Sequence, residues 1–156
     1  MKVLLDTTFL LPLFGIKVRE IEEGRLISVG RALRERGVGL AYPKLLIVEL
    51  AAKIGREAFK RGGLPPEASE ALEALFSEVD VELVEPKVEH VITAIEMRVR
   101  GHKDFFDNLL YATALHEGMK LLTEDDGLVG FLNEKGYRAD FVVRLKDLEK
   151  ALASGR

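Results

Sequence analysis

Four acidic residues stand out for where they fall. Asp6, Glu49, Asp107 and Asp125 each sit where an apolar strand signal stops or a helical pattern begins. Their carboxylates offer oxygen ligands only. Gathered at one place they repel, at roughly 4 kcal/mol per unit-charge pair about 4 Å apart with an effective dielectric near 20. A fold that collects them needs a counter-charge, and oxygen donors select hard cations such as Mg2+ or Mn2+. The chemistry such a centre serves is metal-assisted attack on a phosphodiester.

Each segment also has a plainer reading. In Asp6-Thr7-Thr8 the acid can ligate a metal while the Thr8 hydroxyl orients it, but an Asp or Thr opening a helix is equally a cap for free N–H groups. Glu49 interrupts the apolar run 45–52, where an unpaired carboxylate is expensive to bury. It shares an i, i+4, i+7, i+11 stripe with Lys53, Arg56 and Lys60, so these bases either flank it as phosphate contacts or form an exposed, ion-paired face. Asp104, three residues before Asp107, reads as a helix cap. Thr123-Glu124-Asp125-Asp126-Gly127 contains the ingredients of an ordinary turn, with Asp125 the better placed ligand. The four segments gain force together, because all fall at compatible edges of one fold.

The positioning elements follow from patterning. Strand signals occupy 2–5, 38–42, 81–84, 119–123 and 138–144, with helical patterns over about 19–36, 43–60, 65–78, 87–100, 104–117, 126–135 and 145–153. Strands alternating with helices imply right-handed crossovers and a central parallel sheet of about five strands, an α/β/α sandwich. Sites in such sheets form beyond the carboxyl ends of the strands. Asp6 and Asp125 belong on that rim, and Glu49 reaches it from the helix after the second strand. Asp107 reaches it only if its helix bends back there.

Length (156 residues) and 47% apolar content support one domain over 1–156 with its own core. No apolar run is long enough to span a membrane, the start lacks a secretory pattern, and there is no cysteine, so a cytoplasmic protein is expected. Glutamine is absent and asparagine occurs only at 108 and 133, against 31% charged residues, a bias that fits a hot environment. The net charge of −3 argues against a general nucleic-acid coat protein but leaves room for a nuclease with a local basic rim.

The ordered set of Asp-Thr-Thr-Phe-Leu-Leu at 6–11, helix-borne Glu49, Asp107 through Ala114 and Thr123-Glu124-Asp125 resembles the PIN domain signature, over nearly the whole chain. VapC-like toxin ribonucleases are the best-known small members. The resemblance implies a Rossmann-like fold, a Mg2+- or Mn2+-dependent endoribonuclease leaving 5′-phosphate and 3′-hydroxyl ends, a homodimer and, for a toxin, a cognate antitoxin. It implies Asp6, Glu49, Asp107 and Asp125 as metal-binding catalytic acids, Thr8 and Thr123 as supporting hydroxyls, and a helical projection at about 57–80 near the cleft. Asp104 joins the supporting group, with Lys53, Arg56, Lys60 and Arg61 as candidate RNA contacts and Arg98, Arg100 and Lys103 as a second basic group. Two departures bear on substrate contacts: Asn108 stands where many relatives carry Ala, and Asp126-Gly127-Leu128 replaces a basic residue, acid and aromatic. The alternatives are an RNA-processing nuclease or a catalytically weak nucleic-acid or protein binding module. A phosphatase or receiver domain fits worse, because position 8 is Thr and the third strand ends in Val84-Glu85-Pro86.

Overall fold

The chain enters the core through Val3 and Leu4, both without solvent exposure, as expected of a strand buried on both faces of a parallel sheet. The computed structural model describes residues 1–19 and 21–155. Strand β1 (Lys2–Leu5) leads into a one-turn helix α1 (Thr7–Leu10) and a 3-10 turn at Leu11–Phe14; α2 (Glu23–Glu35) then returns to β2 (Gly39–Pro43). After a second 3-10 turn (Lys44–Leu46) come α3 (Ile47–Arg61), α4 (Pro66–Phe76), β3 (Val81–Val84), α5 (Val88–Val99) and α6 (Phe105–Glu117). The chain closes with β4 (Lys120–Leu122), α7 (Asp126–Lys135), β5 (Val142–Val143) and α8 (Leu145–Ala153).

The five strands lie in the order β3-β2-β1-β4-β5, every pairing parallel. Leu4 of β1 stands opposite Ala41 on one side and Leu121 on the other. From β1 the chain turns first to β2 and later to β4, so the winding reverses at β1. The crevice beyond the carboxyl ends of β1 and β4 is the topological switch point, where open α/β sheets place ligands. This is the α/β architecture that the alternating pattern implies.

Three local features depart from the pattern. A helix is expected over 19–36, but α2 begins only at Glu23. The continuous apolar run after Asp6 hides the short α1 and the 3-10 turn, which ends at Gly15 with φ of 75°. A Cβ at Gly15 would also lie 2.4 Å from the Glu67 carboxylate, because α4 packs over this turn through buried Ala68 and Leu75. Finally, the last strand is confined to Val142–Val143 rather than 138–144. Helix α6 follows expectation: Ala112 and Ala114 are buried, and their small side chains let it seat closely.

Candidate active site

Asp6 is the first residue past β1, and its backbone N–H donates to Leu122 O at 3.1 Å, continuing the β1–β4 ladder. It occupies the N-cap position of α1, where its side chain makes no capping hydrogen bond of full geometry, although the Thr8 N–H still acts on it. The carboxylate is buried and accepts a hydrogen bond from the Thr123 hydroxyl at 2.7 Å. Burial raises its pKa, against the pull of the Thr123 hydroxyl and the Thr8 N–H, and Glu49 raises it further. Thr123, wholly buried at the end of β4, also accepts from the Asp125 N–H at 3.1 Å. One hydroxyl thus ties the acids of two strands together.

Glu49 lies in the first turn of α3, where two partners fix it. Lys53 Nζ is 2.9 Å away, and both side chains are partly sheltered. Thr7 donates its hydroxyl proton to Glu49 Oε2 at 2.9 Å. The Tyr42 hydroxyl lies 2.8 Å from the same Thr7 oxygen and 2.8 Å from Leu46 O, so its single proton is shared between these two acceptors. Thr7 and Tyr42 are fully buried, so this chain of hydroxyls anchors an acid to the sheet. The sequence points to Thr8; the side chain that touches Glu49 is its neighbour. Only the pairing of β1 beside β2 brings Tyr42 to Thr7, and no motif spacing encodes that.

Asp107 sits in the first turn of α6. Its carboxyl is pushed up to about 8, first by burial and then by Asp104, Asp125, Asp6 and Glu49. Besides Asp104 in its own segment, acids from three other segments therefore act on this one group. Asp104 is the α6 cap, accepting from the N–H groups of Phe106 and Asp107 at 3.0 and 3.2 Å. Asp125 caps α7, accepting from Leu128 N–H at 2.7 Å. Gly127 leaves room for that carboxylate, since a Cβ there would lie 3.1 Å from Oδ1. Asp126 faces outward to Arg144 at 2.6 Å.

Among the described residues, no three acidic or histidine side chains stand close enough to surround a single ion as they are. The carboxylates share a region rather than a closed cage. Their chemistry nevertheless suits a hard cation. The donors are all oxygen, and Asp6 and Asp107 hold protons more tightly than free aspartate, first because they are buried and then because other acids lie near them.

Of the basic residues, Lys53, Arg56 and Lys60 line one groove beside Thr8, whereas Arg61 is not among its walls. Arg100 is engaged elsewhere: its guanidinium donates to Lys135 O at 2.9 Å and lies 4.8 Å from the centre of the Tyr137 ring. Asn108 is fully buried, donating to Ala94 O and His102 O, while its own carbonyl meets His102 Nδ1 at 2.6 Å. With both amide protons given away, the Asn108 oxygen accepts, so Nδ1 of His102 carries a proton. An amide here pins the loop that launches α6, which alanine could not do.

The PIN domain family model matches residues 3–131, which takes in all four acids. The chain belongs to the PIN domain family, whose members are generally nucleases. Two crystal structures share its fold. PAE2754 from Pyrobaculum aerophilum is 20% identical, with a TM-score of 0.61 over 99% of this chain and 90% of that one. VapBC2 from Rickettsia felis, bound to a DNA fragment from their promoter, is 12% identical with a TM-score of 0.62, covering 92% and 98%. No curated protein sequence matches the chain.

Proposed function

We propose that the protein is a Mg2+- or Mn2+-dependent endoribonuclease that hydrolyses single-stranded or looped RNA. The observation that carries this reading is the strand-rim site of a PIN domain, in which the Thr123 hydroxyl ties Asp6 to the Asp125 backbone, while burial and neighbouring acids raise the Asp107 pKa. A fold bears such repulsion at a strand rim when a cation and an anionic substrate are to meet there. When bound, a divalent ion acidifies water and neutralises charge on phosphoryl oxygens.

Asp6, Asp107 and Asp125 would hold that ion, and Glu49 a second ion or a water. Thr123 keeps one Asp6 oxygen oriented, leaving the other for a ligand. Thr7 does the same for Glu49, and Asp104 fixes the first turn of α6 so that Asp107 stays aimed at the shared region. Lys53, the cation nearest these acids, moderates the charge of Glu49 and Asp6. RNA as substrate implies a cytoplasmic setting, and no helix among the described residues is long and apolar enough to cross a membrane.

The toxin reading is favoured by the likeness to VapBC2 and calls for a cognate antitoxin; an RNA-processing role would use the same site. The decisive test is Asp6→Asn. The purified variant should keep its far-UV circular dichroism and lose Mn2+-dependent RNA cleavage, with Mn2+ binding weakened in calorimetry. Retained cleavage would reject the ligand role. Growth arrest on expression, relieved by a neighbouring gene product, separates a toxin from a processing enzyme.

A further inference from the structure

A groove of about 370 Å³ opens beside the acids at Thr8. One wall is the α3 stripe of Lys53, Arg56 and Lys60. The other comes from the segment between the first 3-10 turn and α2, which contributes Lys17 and Arg19. The floor includes Leu11, Ile16 and Val18. Glu57 is the one acid of the lining and is paired with Lys60 at 3.1 Å, and Lys53 is paired with Glu49. No ion pair within 4.0 Å is found for Lys17, Arg19 or Arg56 among the described residues. Three uncompensated cations in a concave strip of an acidic protein are costly to gather. They come from two segments that both line the groove, which suits a chain of phosphates better than a single small anion. The apolar floor suits the sugar and base faces of such a chain.

The groove also has a direction. Its lining includes Thr8, two residues from Asp6, and runs along α3 from Lys53 to Lys60. Lys53 to Lys60 spans about 10 Å of helix, about three nucleotides at roughly 3.4 Å per stacked nucleotide. Beyond Asp125 the nearest base, Arg144, is already paired with Glu124 and Asp126.

We propose that this groove is a one-sided track for single-stranded RNA, in which Lys17 and Arg19 contact the phosphates across from α3 and deliver the adjoining linkage to the acids. The proposal rests on the nuclease reading for the fate of that linkage, but its binding step does not need cleavage. The strand is held on one side of the cut only, so substrates require a few unpaired nucleotides on that side and tolerate a duplex or an end on the other.

The test uses the Asp6→Asn chain in EDTA, with a fluorescent single-stranded RNA of about ten nucleotides and anisotropy read across a salt series. Replacing Lys17 and Arg19 together by Ala should make the log K versus log salt slope less steep by about 1.4, at roughly 0.7 per lost phosphate contact, equally for unrelated sequences. Both residues are exposed, so an unchanged Tm is expected. In a chain with Asp6 intact, the same pair should raise KM for cleavage and leave kcat within about twofold. An unchanged slope, or loss of binding from Arg98→Ala with Lys103→Ala instead, overturns the track while leaving the nuclease assignment standing. Absence of any RNA cleavage by the unmodified chain with Mn2+ removes that assignment, and the slope still decides whether the groove binds RNA.

Discussion

Replacing Asp107 by Asn should stabilise the metal-free protein at high pH, although it removes one of the proposed catalytic acids. In the unfolded chain Asp107 ionises near the ordinary aspartate value of 3.8; in the folded protein it holds its proton to about 8. Between those values the native state binds more protons than the unfolded state, so stability falls as pH rises. The penalty is absent below about pH 4 and complete above about pH 8. At about 1.4 kcal/mol per pH unit, the full separation corresponds to an upper bound near 6 kcal/mol. The side chain is partly open to water, and solvent screening reduces this to about 2–3 kcal/mol. Asn keeps the shape and removes the charge. Urea unfolding in EDTA should therefore find the variant about 2 kcal/mol more stable than the parent at pH 8.5, with most of the gain gone at pH 5. Adding Mn2+ at about a hundred times its Kd should recover roughly 2.7 kcal/mol for the parent and much less for the variant. A gain equal at both pH values, or a loss at pH 8.5, would mean that the acids do not share a site.

Three further expectations concern support and assembly. Thr7→Val removes the donor to Glu49 at nearly constant volume and should lower kcat about tenfold, or 1.4 kcal/mol, with Thr7→Ser restoring most of it; equal rates in both variants would make Thr7 merely a packing residue. Asn108→Ala strands the Ala94 and His102 carbonyls and should cost about 2–3 kcal/mol in denaturant unfolding, whereas a loss under about 0.5 kcal/mol would show that water replaces the amide. Val88, Ile92, Ile95 and Val99 form an exposed apolar stripe along α5, from 49% to 82% accessible, which favours the expected homodimer. Light scattering should show a dimer that Ile92→Glu with Ile95→Glu converts to a monomer, and a monomeric parent would refute the interface.

What could be read from the sequence was whatever local chemistry determines. Strands ending in acids, alternation with helices and the family signature fix the fold and its rim. The cap at Asp104 follows from the turn chemistry of its own segment, whereas the capping of α7 by Asp125 is seen only in the structure. What depends on tertiary register was hidden. Thr7 matters because β1 lies beside β2 and brings Tyr42 within 2.8 Å. Lys17 and Arg19 gain meaning only when their segment, part of which reads as the start of a helix, is found ahead of α2 and lining a groove with α3. The Asn at 108 is equally opaque until α5 and the His102 loop are seen to meet around it.

The ion pair between Glu49 and Lys53 carries a consequence for the order of events. An ammonium cannot serve two anions at full strength. While the acids lack a divalent guest, Lys53 is occupied as their resident counter-ion and is poorly available to RNA. If the proposed ion took over the carboxylates, the lysine would be released at the mouth of the groove, where a phosphate of the proposed substrate would arrive. Loading would then be sequential, ion before strand, with one side chain as the timing element.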